Sequence, residues 1–134
     1  MHNTIYQPIQ SQHDADVLDD LANGLHDGYI TRVEYDNAGI IPADEGGLFF
    51  DYSRRTLLLH ILVTSLKGHP TFELRFSGVV EYQIRDVQFN DMIGFSVLFQ
   101  DNGLILWADD CFAPVSELKK GTYVIAQSME YRML

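Results

Sequence analysis

His26 and Asp27 are the pair in this chain whose types and placement most readily suggest chemistry. They stand between Asn23-Gly24 and Gly28, where a loop meets the first extended segment, a position at which a side chain is held firmly yet reaches solvent. Tyr29, which begins that segment, completes the stretch that would meet a ligand or partner. Adjacent residues of a strand point apart, so a direct contact between His26 and Asp27 requires a turn at Gly28. The structural alternative is that Asp27 accepts hydrogen bonds from backbone amides while His26 ties the loop to the sheet. Both readings stand at this point.

No nucleophile motif accompanies the pair. Ser53, Ser65, Ser77, Ser96, Ser116 and Ser128 lack a Gly-x-Ser-x-Gly context, and Cys111 has no neighbouring histidine and reads as a small buried hydrophobe. His2, His13, His26, His60 and His69 are scattered without the i, i+4 spacing of a helical zinc site, and one cysteine excludes a thiolate cage. Asp109-Asp110 and Asp44-Glu45 lack the order of a calcium loop, and Gly46-Gly47 is no phosphate cradle. The expectation is therefore no metal, no cofactor and no catalytic residue. His60, inside an apolar run, reads as a hydrogen-bonded core or edge histidine. The tyrosines, seven in all, supply either core rings or a partner surface.

The stretch that organises the remaining elements is Thr71 to Arg85. Phe72, Leu74, Phe76, Val80, Tyr82 and Ile84 alternate with polar residues, the period of a strand with one buried face. Only Val79 breaks the phase. A straight strand of that length, at roughly 3.3 Å per residue, would outrun a domain of this size. Gly78 is the expected bulge, keeping both halves in phase. Upstream, residues 1–12 read as an arm, residues 13–24 as a short helix placing Val17, Leu18, Leu21 and Ala22 on one face, and Asn23-Gly24 as its stop. Tyr29 to Tyr35 is the first strand, with Tyr29, Thr31, Val33 and Tyr35 on one face.

Asp36 to Asp51 is a loop in which Leu48-Phe49-Phe50 pairs briefly, and Arg55 to Val63 is a strand covered on both sides. Ser65 to Pro70 turns the chain back. Asp86 to Asp91 leaves the sheet, and Ile93, Phe95, Val97 and Phe99 resume the alternation. Asn102-Gly103, as a two-residue type I′ loop, sets Val97 opposite Ala108, Leu98 opposite Trp107 and Phe99 opposite Leu106. Pro114 to Lys120 contributes a helical turn. Thr122 to Arg132 closes the chain as a strand interrupted at Gln127, with Tyr123, Ile125, Met129 and Tyr131 on one face. The expected fold is mainly β, with α+β as the variant: an antiparallel curved sheet or two-layer sandwich over residues 25–134, most simply a meander, in a single domain spanning 1–134.

Composition bounds the rest. At 134 residues and 46% hydrophobic, the chain can close a core without disulfides or a structural metal. One cysteine and no signal-like N-terminus imply a reduced, cytoplasmic setting, and no apolar run approaches the ~20 residues of a membrane span. The net charge of −10 is uneven: residues 1–51 hold ten acids against Arg32 alone. Such a surface repels a phosphate backbone, which argues against nucleic acid, and attracts a basic protein; it also simply aids solubility.

Leu25-His26-Asp27-Gly28-Tyr29-Ile30, Tyr35-Asp36, Leu74-Arg75-Phe76-Ser77-Gly78-Val79 and Ile125-Ala126-x-Ser128-Met129-Glu130-Tyr131 resemble motifs of a group of small bacterial domains. Some members of that group are immunity proteins of polymorphic toxin systems. The resemblance spans residues 25 to 132, carries over no catalytic residue, and excludes the acidic segment Asp14 to Asp20. It implies a non-catalytic protein-binding domain that neutralises a basic toxin domain. A small-ligand protein or enzyme with a site near His26 and Asp27 is the alternative from another class. A homodimeric scaffold, joined through a strand edge or an aromatic face, is the third reading.

Overall fold

The structure, a computed structural model, describes residues 5–43, 46–85, 92–111 and 113–134. Asp44-Glu45, His2 and the segment Asp86 to Asp91, to which expectations were attached above, lie outside the described residues.

The chain forms a single curved antiparallel sheet with one short helix near its N-terminus and a separate two-stranded ribbon. Its elements are β1 (Gln7–Ile9), α1 (Gln12–Leu21), β2 (Gly28–Asn37), β3 (Ile40–Pro42), β4 (Leu48–Phe50), β5 (Arg55–Val63), β6 (Thr71–Gln83), β7 (Ser96–Phe99), β8 (Ile105–Ala108), α2 (Val115–Leu118) and β9 (Tyr123–Met133). The main sheet runs β2-β5-β6-β9-β8-β7, with β1 also on β9, while β3 and β4 pair with each other. The expected meander is thus interrupted. Sequence-distant β9 pairs with β6 along its length and takes β8 on its other side at Tyr123 to Ala126 and β1 at Met129 to Tyr131, burying Val124, Ala126, Met129 and Tyr131 in the main core.

α1 begins where Ser11 Oγ accepts the Asp14 amide at 3.2 Å and the Asp14 carboxylate accepts the Gln10 amide at 2.8 Å, a reciprocal cap. The helix buries Ala15 and Leu18, followed by Ala22 and Leu25, against the sheet, while Val17 and Leu21 face outward. The expected apolar stripe is therefore rotated by one position. The arm also departs from expectation, since Gln7 to Ile9 join the sheet beside Met129 to Tyr131.

β6 is buried at Phe72, Leu74 and Phe76, as its alternation requires, and it bends at Gly78 with φ +70°. Its second half changes phase, however. Val79 is buried while Val80 is exposed, so the glycine switches the faces. β9 makes the same switch: Ala126 pairs with Val79 and Met129 with Phe76, and all four lie in the main core. One residue is added to each strand at the same level, which preserves the pairing and turns the sheet. A further irregularity falls between Val79 and Glu81.

Tyr123 and Ile125 face the other way, into a second apolar cluster with Leu106, Ala108 and Leu118. All four residues of β8 are buried, alternately toward the two clusters. On β5, Leu57, Leu59, Ile61 and Val63 are fully buried, but Leu58, His60 and Leu62 are only half-covered, so the expected double burial holds on one face. In β2 a bulge between Ile30 and Arg32 sets Tyr29 opposite Leu62, while Val33 and Tyr35 oppose the core residues Leu59 and Leu57. Tyr29 and Val33 therefore occupy opposite faces, contrary to the simple alternation.

The hairpin β7–β8 is shifted by one residue from the expected register: Val97 opposes Trp107, Leu98 opposes Leu106 and Phe99 opposes Ile105. The Gln100 amide donates to Leu104 O at 2.9 Å, enclosing a three-residue loop, Asp101-Asn102-Gly103, with Gly103 at φ +84°. That is the bulged alternative to a two-residue turn, and it uses the same Asn-Gly pair.

Candidate functional site

Three places bear on function. The first is the loop Asn23 to Asp27. Asn23, Leu25 and Asp27 all have left-handed backbones, with φ of +51°, +55° and +55°, an unfavourable conformation for residues with side chains. Tertiary bonds hold it there. Leu25 is fully buried, the Asp27 amide donates to Met92 O at 2.8 Å, and Asp27 O accepts from Thr64 N and Oγ1. Ser65 Oγ donates to His26 O at 2.6 Å.

The His26 ring places Nδ1 3.1 Å from Ile93 O and Nε2 3.7 Å from Asp27 Oδ1, with both side chains about half-exposed. The two side chains do approach each other. Their turn is made by Asp27 itself, in the left-handed region, rather than at Gly28 alone. Tyr29 is exposed on the adjoining strand. The chemistry available is that of an exposed imidazole beside an exposed carboxylate, on a loop fastened to the sheet by backbone hydrogen bonds.

The second place was not anticipated. On the sheet face opposite α1, Glu73 is only 3% exposed and accepts three side-chain hydrogen bonds. Tyr6 donates its hydroxyl to Oε1, Arg132 Nε donates to the same oxygen at 2.9 Å, and His60 Nε2 lies 2.8 Å from Oε2. Two guanidiniums lie over the Tyr6 ring, Arg75 at 3.9 Å and Arg132 at 4.4 Å from its centroid. Arg75 in turn pairs with Glu130. Burial would push the Glu73 carboxyl up, but the hydrogen bonds from Tyr6, His60 and Arg132 prevail and hold it below the ordinary range. Burial, and then the bond to Glu73, push the Tyr6 hydroxyl up.

Cross-strand register assembles this cluster, since His60 opposes Glu73 and Glu73 opposes Arg132. The one signal in the sequence was His60 as a polar break in an apolar run. Its expected role as a hydrogen-bonded histidine is the role it has. The cluster saturates its own carboxylate and ties the N-terminal segment across β5, β6 and β9, which is a structural task.

The third place is the ribbon β3–β4, the brief pairing expected at Leu48 to Phe50. Phe49 and Phe50 are 63% and 70% exposed, and Ile40, Leu48 and Tyr52 are exposed as well. Ile40 opposes Phe50 and Pro42 opposes Leu48 on one face, with Ile41 opposite Phe49 on the other. Both faces of the ribbon are therefore apolar.

Cys111 is exposed rather than buried, which corrects its reading as a core hydrophobe: it lies beyond the end of β8, against Gly94. Local desolvation and the neighbouring Asp110 push its thiol up, away from thiolate chemistry. Burial likewise pushes the Asp109 carboxyl up. Among the described residues no three His, Cys, Asp or Glu side chains are grouped to hold a metal ion, and no helix is long and apolar enough to cross a membrane. An open groove of about 490 Å³ is lined by Gln83, Ile84, Arg85, Lys119 and Lys120. Its cations are engaged: Lys119 with Glu81, Lys120 with Glu117, and Arg85 with Lys120 O. Compared with known proteins, the chain matches no family model, no curated protein and no solved structure.

Proposed function

We propose that this chain is a non-catalytic protein-binding domain that presents the β3–β4 ribbon to a basic partner, in the manner of an immunity protein that neutralises a toxin domain. The observation that carries the reading is the exposure of Phe49 and Phe50 together with Ile40 and Leu48 on a ribbon with two apolar faces. A two-stranded ribbon is marginal by itself in water, and a contiguous apolar surface of this kind marks an interaction site. Large aromatics are also the residues that dominate binding energy when a partner covers them. The charge of the first third of the chain favours a cationic partner, because residues 1–51 carry ten acids and one base.

The test is a toxicity assay in which the product of the neighbouring gene is expressed with and without this chain, alongside a binding measurement on the purified pair. Protection and a complex are expected, and Phe49→Ser with Phe50→Ser should weaken the complex by at least tenfold. Absence of both protection and binding would reject the reading. Binding that ignores the two phenylalanines would move it away from the ribbon.

A further inference from the structure

β9 has β6 along one side and shares its other side between β8, at Tyr123 to Ala126, and the N-terminal arm, at Met129 to Tyr131. The arm pairs there over three residues, one of which, Pro8, has no amide to donate. Its side chains take hold on both faces of the sheet. Ile9, 1% exposed, enters the main core, while Tyr6 crosses the polar face to give its hydroxyl to Glu73, with its ring against the guanidiniums of Arg75 and Arg132. Ile5, Gln7 and Pro8 are exposed.

The elements around the arm keep their own bonds when it leaves. Two of the three donors to Glu73, His60 and Arg132, belong to β5 and β9, so the buried carboxylate retains them after Tyr6 departs. α1 retains its start as well, because its cap is closed among Gln10, Ser11 and Asp14. A terminal segment bounded in this way opens locally, at a free energy below that of the whole fold. We infer that residues 5–9 are a strap that opens about Gln10, and that the β9 edge it covers receives an extended segment of a partner protein carrying a tyrosine and, three residues on, an aliphatic side chain.

The arm itself defines that chemistry. A strand added at Met129 to Tyr131 gains main-chain hydrogen bonds, which almost any sequence supplies, and its side chains choose the sequence. The seat on the polar face takes a ring beside two guanidiniums and a hydroxyl at a carboxylate. Tyrosine satisfies it, whereas phenylalanine leaves Glu73 one donor short. The seat on the core face takes the branched aliphatic side chain that Ile9 places opposite Met129. Because the arm fills both seats from within the same chain, at an effective concentration on the order of millimolar, it holds the edge closed against weak competitors. It also shields that edge from indiscriminate strand pairing. None of the residues involved belongs to the β3–β4 ribbon.

The probe is a labelled peptide of residues 5–10, offered to the full chain and followed by fluorescence anisotropy. Binding to the Tyr6→Ala chain, whose own strap is weakened, should be about tenfold or more tighter than to the wild type. A peptide with phenylalanine in place of the tyrosine should lose about tenfold. Adding Phe49→Ser with Phe50→Ser should leave binding unchanged. Equal binding to the two chains, indifference to the phenol, or loss of binding with the ribbon phenylalanines overturns the inference. A wild-type dimer abolished by Tyr6→Ala would assign the edge to the arm of a second copy and overturns the foreign partner. A further measurement needs no variant of the strap: chymotrypsin cleavage after Tyr6, read by mass spectrometry, should proceed at the same rate in the wild type and in Leu59→Ala, because local opening exposes the bond in both. Cleavage that accelerates in step with the global loss of stability would mean that the arm leaves only when the sheet unfolds, and overturns the strap.

Discussion

Glu73 shows what one residue does here. A carboxylate taken out of water costs several kcal/mol unless donors replace the lost hydration, and three do: the Tyr6 hydroxyl, the Arg132 guanidinium and the His60 imidazole. Removing the charge therefore strands its partners. Glu73→Gln should destabilise the fold by about 2 kcal/mol in urea unfolding, less than a fully enclosed pair because Arg132 retains contact with water. The pH dependence has a definite sign. Because the folded carboxyl is depressed, the unfolded chain takes up the proton first as pH falls below about 4.3. The contribution of Glu73 is complete above that value and is lost as pH drops through the folded value. The stability gap between wild type and Glu73→Gln should therefore be constant near neutrality and narrow below about pH 5. A gap that stays constant into acid would deny the carboxylate its role.

At the scale of elements, the bend in β6 is the decisive feature. Gly78 has φ +70°, and a Cβ there would come within 2.3 Å of the Gln127 side chain. Gly103 has a similar φ of +84° but open space around it. Gly103→Ala should thus show the backbone cost alone, about 1 kcal/mol, while Gly78→Ala adds a steric cost on top. Gln127→Ala in the Gly78→Ala background should recover the steric share and leave the backbone share. Equal effects at the two glycines would mean that Gln127 gives way freely.

The same features explain what was legible in advance. Alternation marked β2, β6 and β9, because it records which residues share a face, and a continuous apolar run marked β5. It could not reveal that Gly78 and Gln127 together reverse that face, nor that the bulge before Arg32 separates Tyr29 from Val33. Asn102-Gly103 announced a hairpin but fits two loop lengths, and the two differ by one residue of register. Asn23-Gly24 marked the end of α1 correctly. The Glu73 cluster depends on three strands meeting across long sequence separations, and the insertion of β9 between β6 and β8 is equally non-local, so beyond the polar break at His60 neither leaves a local trace.

The whole molecule is held by two apolar clusters that share a backbone. β8 sends Trp107 and Ile105 into the main core and Leu106 and Ala108 into the second cluster, and β9 divides its side chains in the same way. Neither cluster can lose its packing without dislodging strands that the other needs. Unfolding should therefore be one cooperative event despite the two sites of burial. Leu59→Ala in the main core and Leu118→Ala, at the end of α2 in the second cluster, are each expected to lower stability by roughly 2–5 kcal/mol, the usual range for a buried leucine. Leu118→Ala belongs at the lower end, because it lies in the smaller cluster. Both variants should move the urea midpoint while leaving the slope of the transition unchanged, as read by tryptophan fluorescence at Trp107 and by circular dichroism of the sheet. If Leu118→Ala instead produced an early separate transition in one of these signals, the second cluster would be an independent unit and β8 would not couple the two faces.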